Sequence, residues 1–462
     1  MRETLVKFEE FKDSLVGRIP KDWEVRKLTD IASYQNGKSF PSSDYSESGI
    51  PLLRPGNLPD DDFVLWDEAH TTYLPLKWAE LAPDYIVLAE ELVMNLTAQS
   101  LEDQFLGRVC MTPPDTFCLL NQRIARFRAK DCYLPFLFWA LKGTYFRAQI
   151  DRIPQGTKVQ HIYNSDLDAI ILPMPKEQSE QRAIAEILFT LSALVRSQES
   201  LIVKLKQMKA GLLHDLLTRG LDENGELRDA IAHPEQFKDS PLGQIPKNWE
   251  VFKLSEIVPH AEYGISVSLD DEDGIPVLRM NNLKDGEVDL TDLKKSASSK
   301  AANLLLQPLD VLFNRTNSIE HVGRTAIWRG QIERASFASY LVRLLPDQSK
   351  LIPEYLNVWL NLPTTQLLIR RYATPGVHQV NINPTNLRKV LIALPQKTSE
   401  QQTIVERIAA HDTRIRAEEA YRDKLKLQKQ GLMHDLLTGK VRVKGAKPVK
   451  EDTSQLAALT KA

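Results

Sequence analysis

A segment that occurs twice is the feature that most constrains the fold of this chain. Residues 179–218 read SEQRAIAEILFTLSALVRSQESLIVKLKQMKAGLLHDLLT, and residues 399–438 read SEQQTIVERIAAHDTRIRAEEAYRDKLKLQKQGLMHDLLT. Both copies open with Ser-Glu-Gln, close with His-Asp-Leu-Leu-Thr and lack proline, and they lie 220 residues apart. The pattern predicts one long helix at the end of each half of a duplicated chain.

The repeat extends through both halves in an unchanged order. The segment FKDSLVGRIPKDWEVRKL at Phe11 returns as FKDSPLGQIPKNWEVFKL at Phe237, and GIPLLR at Gly49 returns as GIPVLR at Gly274. The offset falls from 226 through 225 to the 220 of the helices, as insertions in loops would cause. We infer a tandem duplication of about 220 residues.

Between these blocks, each half has short strand-like segments separated by loops rich in Asp, Ser, Gly and Pro. In the first half we predict strands at 23–28, 51–54, 85–88, 92–96, 123–127 and 169–172, and a single helix at 134–150. The second half repeats this order, with a helix at 356–372 and a last strand at 390–394. Each half is therefore predicted to contain one α+β domain.

The long helices carry the 3-4 apolar spacing of a coiled coil. This seam consists of Ile184, Leu188, Leu191, Val195, Ile202, Leu205, Leu212 and Leu216 in the first copy, and Ile404, Ile408, Ile415, Leu425, Leu432 and Leu436 in the second. We expect the two helices to pack on each other as an antiparallel coiled coil, with a globular domain at each end.

A second apolar row accompanies the seam of the first helix. It consists of Ile187, Leu194, Leu201 and Met208, where the second helix has Arg407, Arg414, Tyr421 and Gln428. Three apolar positions per heptad bury more than a two-stranded seam. We therefore expect the first helix to be covered on a second side, either by a partner subunit or by the chain's own N-terminal arm.

The predicted organisation has five parts. They are an N-terminal arm and first domain at 1–175, a helix at 176–220, a second domain at 221–396, a helix at 397–440 and a disordered tail at 441–462.

Composition predicts a cytoplasmic protein. The 462 residues are 42% hydrophobic and 26% charged, as in soluble globular proteins. No apolar run approaches the roughly 20 residues of a membrane helix, and the N-terminus is charged, unlike a signal peptide. Cys110, Cys118 and Cys132 are odd in number and lack zinc-site spacing, so we expect reduced core cysteines and no metal site.

Charge is unevenly distributed within each half. Residues 40–103 hold thirteen acids and two bases, whereas residues 104–160 hold nine bases and three acids. Residues 270–292 and 366–394 repeat this contrast. Bases gathered on one face would let a chain with a net charge of −2 bind DNA, although a solvated mixed surface is the alternative.

Recognisable catalytic motifs are absent from the sequence. It contains no G-x-G-x-x-G, no G-x-x-x-x-G-K-[ST] and no Asn/Asp-Pro-Pro-aromatic tetrapeptide. His214 and His434 recur in the His-Asp-Leu-Leu-Thr ends, where we attribute them to packing or to helix-end chemistry. No catalytic residue is therefore predicted.

The repeated motifs, IPKDWEVRKL with IPKNWEVFKL, GIPLLR with GIPVLR, and GLLHDLLTRG with GLMHDLLTGKVRV, resemble those of the specificity subunit of type I restriction–modification enzymes. The resemblance covers about residues 1–440. It implies two target recognition domains, each reading half of a split site in double-stranded DNA. It also implies helices that set the spacer and dock two modification subunits.

The resemblance further implies that this chain is not an enzyme and holds no cofactor. S-adenosylmethionine, ATP and Mg would be bound by the partners, which are the modification subunits and the restriction subunits. No membrane partner is implied. The absence of catalytic motifs agrees with this expectation independently.

Candidate DNA contacts are polar residues of each half, since Arg suits guanine and Asn or Gln suits adenine. In the first half they are Asn36, Lys38, Arg54, Asn57, Asn95, Gln99, Arg123, Arg126, Lys158, Gln160 and His161. In the second half they are Ser266, Arg279, Asn281, Asn314, Arg315, Asn317, His378, Gln379 and Asn381. Candidate subunit-docking residues are Ile187, Leu194, Leu201, Met208, His214 and His434.

Recurrence separates two kinds of candidate. Arg54 with Arg279, and Asn95 with Asn314, recur at matched places, which favours a role in the fold or on phosphates. Positions that differ, such as Lys158 against His378, are better candidates for specificity.

Two other functions remain open at this stage. The duplicated units could form a scaffold that binds proteins, which a test for sequence-specific DNA binding would distinguish. The chain could also be an enzyme with an unrecognised site, which a methyltransferase assay on this chain alone would reveal.

Overall fold

A computed structural model describes residues 5–7, 10–99, 104–153, 159–269, 271–376 and 379–443. The chain forms two compact units, the first made of Met1–Leu201 with Glu418–Ala462 and the second of Ile202–Ala417. The two long helices cross from one unit to the other, so each unit contains part of both. Across the described residues, no helix has the length and apolar content needed to span a bilayer.

Among its described residues, the first half of the chain has fifteen strands and six α-helices. The strands are β1 (Leu5–Lys7), β2 (Phe11–Lys12), β3 (Ile19–Pro20), β4 (Trp23–Lys27), β5 (Ala32–Asn36), β6 (Ile50–Leu53), β7 (Thr72–Leu74), β8 (Ile86–Leu88), β9 (Leu92–Asn95), β10 (Thr97–Ala98), β11 (Val109–Met111), β12 (Phe117–Leu120), β13 (Ile124–Ala129), β14 (Gln160–His161) and β15 (Ile171–Pro175). The helices are α1 (Leu28–Ile31), α2 (Lys77–Leu81), α3 (Leu134–Ala140), α4 (Thr144–Ile150), α5 (Asn164–Ala169) and α6 (Gln178–Thr218).

The second half has a similar order of elements, with additional short strands. Its strands are β16 (Phe237–Ser240), β17 (Gly243–Pro246), β18 (Trp249–Lys253), β19 (His260–Tyr263), β20 (Ile275–Leu278), β21 (Leu283–Lys284), β22 (Gly286–Val288), β23 (Lys294–Ser296), β24 (Val311–Asn314), β25 (Thr316–Asn317), β26 (Thr325–Ile327), β27 (Ser336–Phe337), β28 (Leu341–Leu345), β29 (Thr374–Pro375), β30 (Val380–Asn381), β31 (Leu391–Pro395) and β32 (Val441–Val443). Its helices are α7 (Leu254–Ile257), α8 (Ser299–Asn303), α9 (Pro353–Asn361), α10 (Pro363–Arg370), α11 (Pro384–Leu387) and α12 (Thr398–Leu437).

The sheets show that the duplication is structural. The first unit has sheets of order β11-β9-β13-β5 and β7-β6-β12-β8, and the second has β19-β28-β24-β26-β22-β21 and β23-β20-β27. In both units a parallel pair, β6 with β12 or β20 with β27, lies among antiparallel neighbours. The predicted α+β class with tandem domains is confirmed.

The single helix predicted in each half is wrong, because the structure has two short helices there. In the first half Gly143 adopts an extended conformation between α3 and α4. In the second half α10 begins at Pro363, which follows the extended Leu362. Proline disfavours the helical conformation in the residue before it and is well tolerated at the first helical position, so the break falls there.

The long helices run antiparallel inside each unit, as predicted. In the first unit the Gln198 side chain donates to the Glu418 carboxylate at 2.6 Å, and Lys426 pairs with Glu199 at 2.6 Å. In the second unit Lys209 pairs with Asp412 at 2.5 Å. The predicted seam is confirmed, since most of its members are buried: Ile184, Leu188, Val195, Ile202, Leu205, Leu216, Ile404, Ile408, Ile415, Leu425 and Leu436.

The second apolar row of α6 is only partly covered. Ile187 packs against the core of the first unit. Leu201 is half-buried, whereas Leu194 is 45% exposed and Met208 is 58% exposed. The N-terminal strand β1 pairs with β32 instead. These exposed positions remain available for a partner.

The repeated Ser-Glu-Gln has the same structural role in both units. The Gln181 side chain accepts from Tyr133 N at 2.8 Å and donates to Pro175 O at 2.9 Å. The Gln401 side chain likewise accepts from Ile352 N and donates to Pro395 O. Both glutamines are buried, so each fastens the start of its long helix to the domain beside it.

The glutamate of the same motif anchors the end of the other helix. Arg442, which follows α12, donates to Glu180 at 2.5 and 2.7 Å and to Asp22 at 2.8 and 2.7 Å. Arg228, which follows α6, donates to Glu400 at 2.9 Å. The segment after each helix thereby closes the unit in which that helix ends.

This closure corrects the predicted disordered tail. Its first residues, Val441–Val443, form strand β32 and pair antiparallel with β1. Residues 444–462 lie outside the described part of the chain. The strand escaped prediction because its partner is more than 400 residues away in sequence.

Replacing Arg442 with alanine should loosen the first unit alone. The largely buried Glu180 would lose its cation, and we expect a cost of about 2 kcal/mol. Hydrogen exchange should show faster amides at 10–30 and 176–190. The matched Arg228→Ala change should instead affect 245–255 and 398–410. Equal loosening of both units by either variant would contradict this assignment.

A buried carboxylate fastens the first domain to both long helices. Asp62, which is fully buried, contacts Lys142 at 2.8 Å, Arg196 of α6 at 3.2 Å and Lys429 of α12 at 3.4 Å. Burial alone would raise the pKa of Asp62, but the charges of Lys142 and Lys429 outweigh it and hold the pKa at about 2. Burial also lowers the pKa of Lys429, which offsets part of this gain.

The Asp62 cluster predicts a specific acid sensitivity. A lowered pKa stabilises the folded state above the unfolded-state value near 4, and the effect is lost as pH falls from about 4 to about 2. Asp62→Asn should remove this dependence and, by leaving three cations without their anion, cost about 3 kcal/mol in urea unfolding. The control Asp423→Asn, on an exposed carboxylate, should change stability by less than about 0.5 kcal/mol. An unchanged acid transition in Asp62→Asn would refute the assignment.

Candidate nucleic-acid interface

The candidate site of the first unit is built where the ends of several strands meet. After β5 ends at Asn36, the backbone N–H of Gly37 donates to Ile124 O at 2.9 Å and that of Lys38 donates to Leu120 O at 3.0 Å. A Cβ at Gly37 would lie 2.1 Å from Asn121 O, so only glycine fits this crossing. Loop 37–38 is therefore held tightly against the 120–124 turn.

Three more backbone hydrogen bonds join the remaining segments to this crossing. Asn121 N donates to Leu53 O, which places Arg54 beside the turn. Leu96 N donates to Arg123 O, and Ile162 N donates to Leu96 O, which adds β10 and β14. We call the resulting surface the first recognition edge, consisting of Asn36, Lys38, Arg54, Gln99, Gln122, Arg123, Gln160 and His161.

The second unit repeats this backbone framework. Gly264 crosses Ala338, where a Cβ would lie 2.2 Å from the carbonyl oxygen, and Ile265 N donates to Phe337 O. Ala338 N donates to Leu278 O, Arg315 N to Tyr340 O and Ile382 N to Arg315 O. The second recognition edge consists of Tyr263, Ile265, Ser266, Arg279, Arg315, Asn317, Tyr340 and Asn381.

The two frameworks match bond for bond, yet they carry different side chains. The equivalent hydrogen bonds pair Asn36 with Tyr263, Lys38 with Ile265, Leu96 with Arg315, Arg123 with Tyr340 and His161 with Asn381. A common backbone with different donors, acceptors and apolar groups can present two different sequence readers.

Several predicted contacts are instead part of the framework. Asn57 is fully buried, accepts from Arg54 N and donates to Leu65 O. Asn95 is fully buried and donates to Thr97 O and Phe105 O, and the buried Asn314 donates to His321 O. These amides cannot reach DNA without local unfolding, which agrees with the fold role that recurrence favoured for Asn95 and Asn314.

The Arg126 side chain is also buried inside the domain and does not lie on the first recognition edge. Its side chain is 3% exposed and donates to Ile86 O, Asp84 O and the Gln35 side chain. Among the basic residues of 104–160, Lys142 contacts Asp62 and Arg147 pairs with Asp151. The basic segment therefore does not place all of its charges on one face, because several of them stabilise the domain internally.

A groove of about 440 Å³ is lined in part by Arg54, Gln122 and Arg123 of the first recognition edge. The Arg54 guanidinium donates to Thr72 Oγ1 at 2.9 Å and lies over the Tyr45 ring at 5.6 Å. Arg123, whose side chain is exposed, and His70 also line this groove. Sequence reasoning missed Tyr45, His70 and Gln122, which also line this groove.

Other candidates lie on or near the first edge. Asn36 donates to the Asn164 side chain at 2.8 Å, and Lys38 lies over the Tyr85 ring. His161 packs edge-on against Tyr163, and burial lowers the pKa of the His161 imidazole. Gln99 is exposed, Gln160 is half-buried, and Lys158 lies outside the described residues.

On the second edge, acidic neighbours restrain two candidates. Arg279 donates to Asp292 at 2.6 Å, and Asn281 donates to the same carboxylate. Asn381 donates to Thr316 Oγ1 at 2.9 Å. Ser266 is exposed, Asn317 and Gln379 are half-buried, and His378 lies outside the described residues.

The recurring helix ends show a common use of their threonine. Thr218 Oγ1 donates to His214 O, and Thr438 Oγ1 donates to His434 O, both at 2.7 Å. The His214 ring is exposed, while His434 Nε2 contacts Lys440 Nζ at 2.9 Å. The repeated threonine thus donates a hydrogen bond to a carbonyl oxygen in the last turn of each helix.

Comparison with known proteins agrees with this architecture. The family model of the type I restriction modification DNA specificity domain matches residues 20–207 and 246–427. The chain is 27% identical over 404 residues to the type I restriction enzyme EcoBI specificity subunit of Escherichia coli, covering 84% of this chain and 79% of that one. It is 23% identical over 403 residues to the EcoKI specificity subunit of Escherichia coli K12, covering 85% and 82%.

A solved structure shows the same fold. The S subunit of a type I restriction–modification system from M. genitalium has a TM-score of 0.53 at 13% identity, covering 90% of this chain and 96% of that chain. The family model, the two relatives and this similarity of fold together confirm the resemblance inferred from the repeated motifs. The chain belongs to the type I restriction–modification DNA specificity family, and it is a DNA-specificity subunit.

The two glycine crossings provide a test of the recognition edges. Gly37→Ala should displace the first edge, and Gly264→Ala the second, because each new Cβ would overlap a carbonyl oxygen. Each variant should weaken recognition of one half-site by at least about tenfold in DNA-binding titrations with half-site mutants. Gly211→Ala is the matched control, since its Cβ would meet nothing within 4 Å. If one substitution weakened recognition of both half-sites, the two recognition edges would not act independently.

Proposed function

We propose that each unit reads one half of an asymmetric, bipartite site in double-stranded DNA. The observation that carries this proposal is the matched backbone framework with different side chains at Asn36 and Tyr263, Lys38 and Ile265, and Arg123 and Tyr340. Two recognition edges with identical side chains would be expected to read two identical half-sites. Lys38 and Arg123 favour phosphate or guanine contacts in the first half-site, whereas Tyr263 and Ile265 supply apolar surface in the second.

The catalytic work belongs to other subunits in this proposal. The chain itself would be non-catalytic and would act in the cytoplasm. Two modification subunits would supply S-adenosylmethionine chemistry, and restriction subunits would supply ATP- and Mg-dependent translocation and cleavage. The exposed Leu194 and Met208 on α6, together with the helix-end His214 and His434, are the surfaces on which we expect partners to dock.

The proposal is tested by mapping DNA methylation in cells that express this chain with its modification subunits. We expect a split target whose two halves differ in sequence. Lys38→Ala with Arg123→Ala should relax the first half and leave the second unchanged. Arg152→Ala, on an exposed arginine outside the edge, is the control. Methylation that does not depend on this chain would refute the proposal.

The long helices would set the number of base pairs between the halves. A seven-residue insertion in both α6 and α12 keeps the coiled-coil register and adds about 10.5 Å. At 3.4 Å per base pair, this length corresponds to about three base pairs. Methylome mapping should therefore show a spacer longer by about three base pairs, while the same insertion in α6 alone should impair assembly. An unchanged spacer in an active complex would show that the helices do not set it.

A further inference from the structure

Arg315 occupies a position on the second recognition edge that has no polar counterpart on the first. The equivalent backbone position in the first unit is Leu96, which is buried. Arg315 N donates to Tyr340 O at 3.0 Å, and Arg315 O accepts from Ile382 N at 2.8 Å. Its backbone is therefore held from both sides by the framework.

The guanidinium of Arg315 is also held in place by neighbouring groups, but no carboxylate of the described residues neutralises its charge. Nη1 donates to Ser339 O at 3.2 Å, and the group lies 5.1 Å from the centre of the Tyr263 ring. Among the described residues no carboxylate pairs with it, in contrast to Arg279 with Asp292. An arginine fixed in position with its charge unpaired is prepared for an external acceptor.

The exposed part of this arginine defines the acceptor. Nε is enclosed by the protein, so the edge formed by Nη1 and Nη2 is the part that can meet a ligand. Tyr263, 48% exposed at the same edge, supports the guanidinium through a cation–π contact. Two parallel N–H donors in a fixed plane match O6 and N7 of guanine, the commonest specific contact of arginine in the major groove.

We propose that Arg315 reads a guanine in the half-site of the second unit, and that Tyr263 is the positioning residue that orients its guanidinium. This inference rests on the proposed function. A base contact is favoured over a phosphate contact because the arginine is present in one unit only. Groups that hold the shared backbone of DNA would recur in both units, as Arg54 and Arg279 do.

The test uses the complex of this chain with its modification subunits. Methylation mapping of the wild type defines the second half-site, and methylation rates are then measured on DNA with each of its guanines replaced in turn. Arg315→Ala should lose roughly 10- to 100-fold of discrimination at one base pair of that half-site. Discrimination in the first half-site should stay unchanged.

Conservative variants separate the role of each group. Arg315→Lys keeps the charge but not the bidentate geometry, so it should lose most of the discrimination while retaining affinity. Tyr263→Phe keeps the ring and should behave as the wild type, whereas Tyr263→Ala should lose discrimination at the same base pair as Arg315→Ala. The control is Arg334→Ala, which removes an exposed charge. Arg334 precedes β27, whereas Ala338 of the glycine crossing follows it, so this variant should have no effect.

Two outcomes would overturn the inference. Arg315→Ala could weaken binding equally on all sequences and reduce its salt dependence, which would identify a phosphate contact. Alternatively, the Arg315→Lys and Tyr263→Ala complexes could keep full discrimination at every guanine while remaining folded by circular dichroism. Failure of the proposed function would look different, because the wild-type complex would then methylate no bipartite site.

Discussion

An arginine–glutamate pair at the start of each long helix is the interaction on which the rest of the structure depends. Glu180 and Glu400 come from the repeated Ser-Glu-Gln, and each receives an arginine from the segment that follows the other helix, Arg442 or Arg228. These four side chains are largely buried, so the pairs are poorly screened by solvent and costly to break singly. In each unit this pair joins the start of one long helix to the segment that follows the other helix. The first unit therefore includes a segment from the C-terminal part of the chain.

Against this shared architecture, the two recognition edges differ in the chemistry they present. Gly37 and Gly264 allow the same tight crossing, and the buried Asn95 and Asn314 hold the same turn. The exposed positions around them have diverged. Duplication therefore kept the residues that set the backbone and varied those that face outward, which is the division of labour that a reader of two unlike half-sites requires.

The sequence predicted much of the fold because the strongest signals were local and occurred twice. The heptad seam and six of the fifteen strands described in the first half were predicted, whereas the break at Pro363 was overlooked inside an amphipathic pattern. The site was harder to predict. Counting charges cannot show that Arg126 points into the domain, and a repeated asparagine such as Asn95 has the same sequence signature whether it binds DNA or a carbonyl. The pairing of β1 with β32 depends on tertiary contact alone.

The central claim is that a common framework carries two different readers. It is tested most directly by a chimera in which residues 221–396 are replaced by a second copy of the first domain, with the flanking helices unchanged. Methylation mapping of the chimera with its modification subunits should give a target whose two halves carry the same sequence, that of the first half-site of the parent chain. A target that still contained the parent's second half-site would contradict the account, because recognition would then lie outside the exchanged domain.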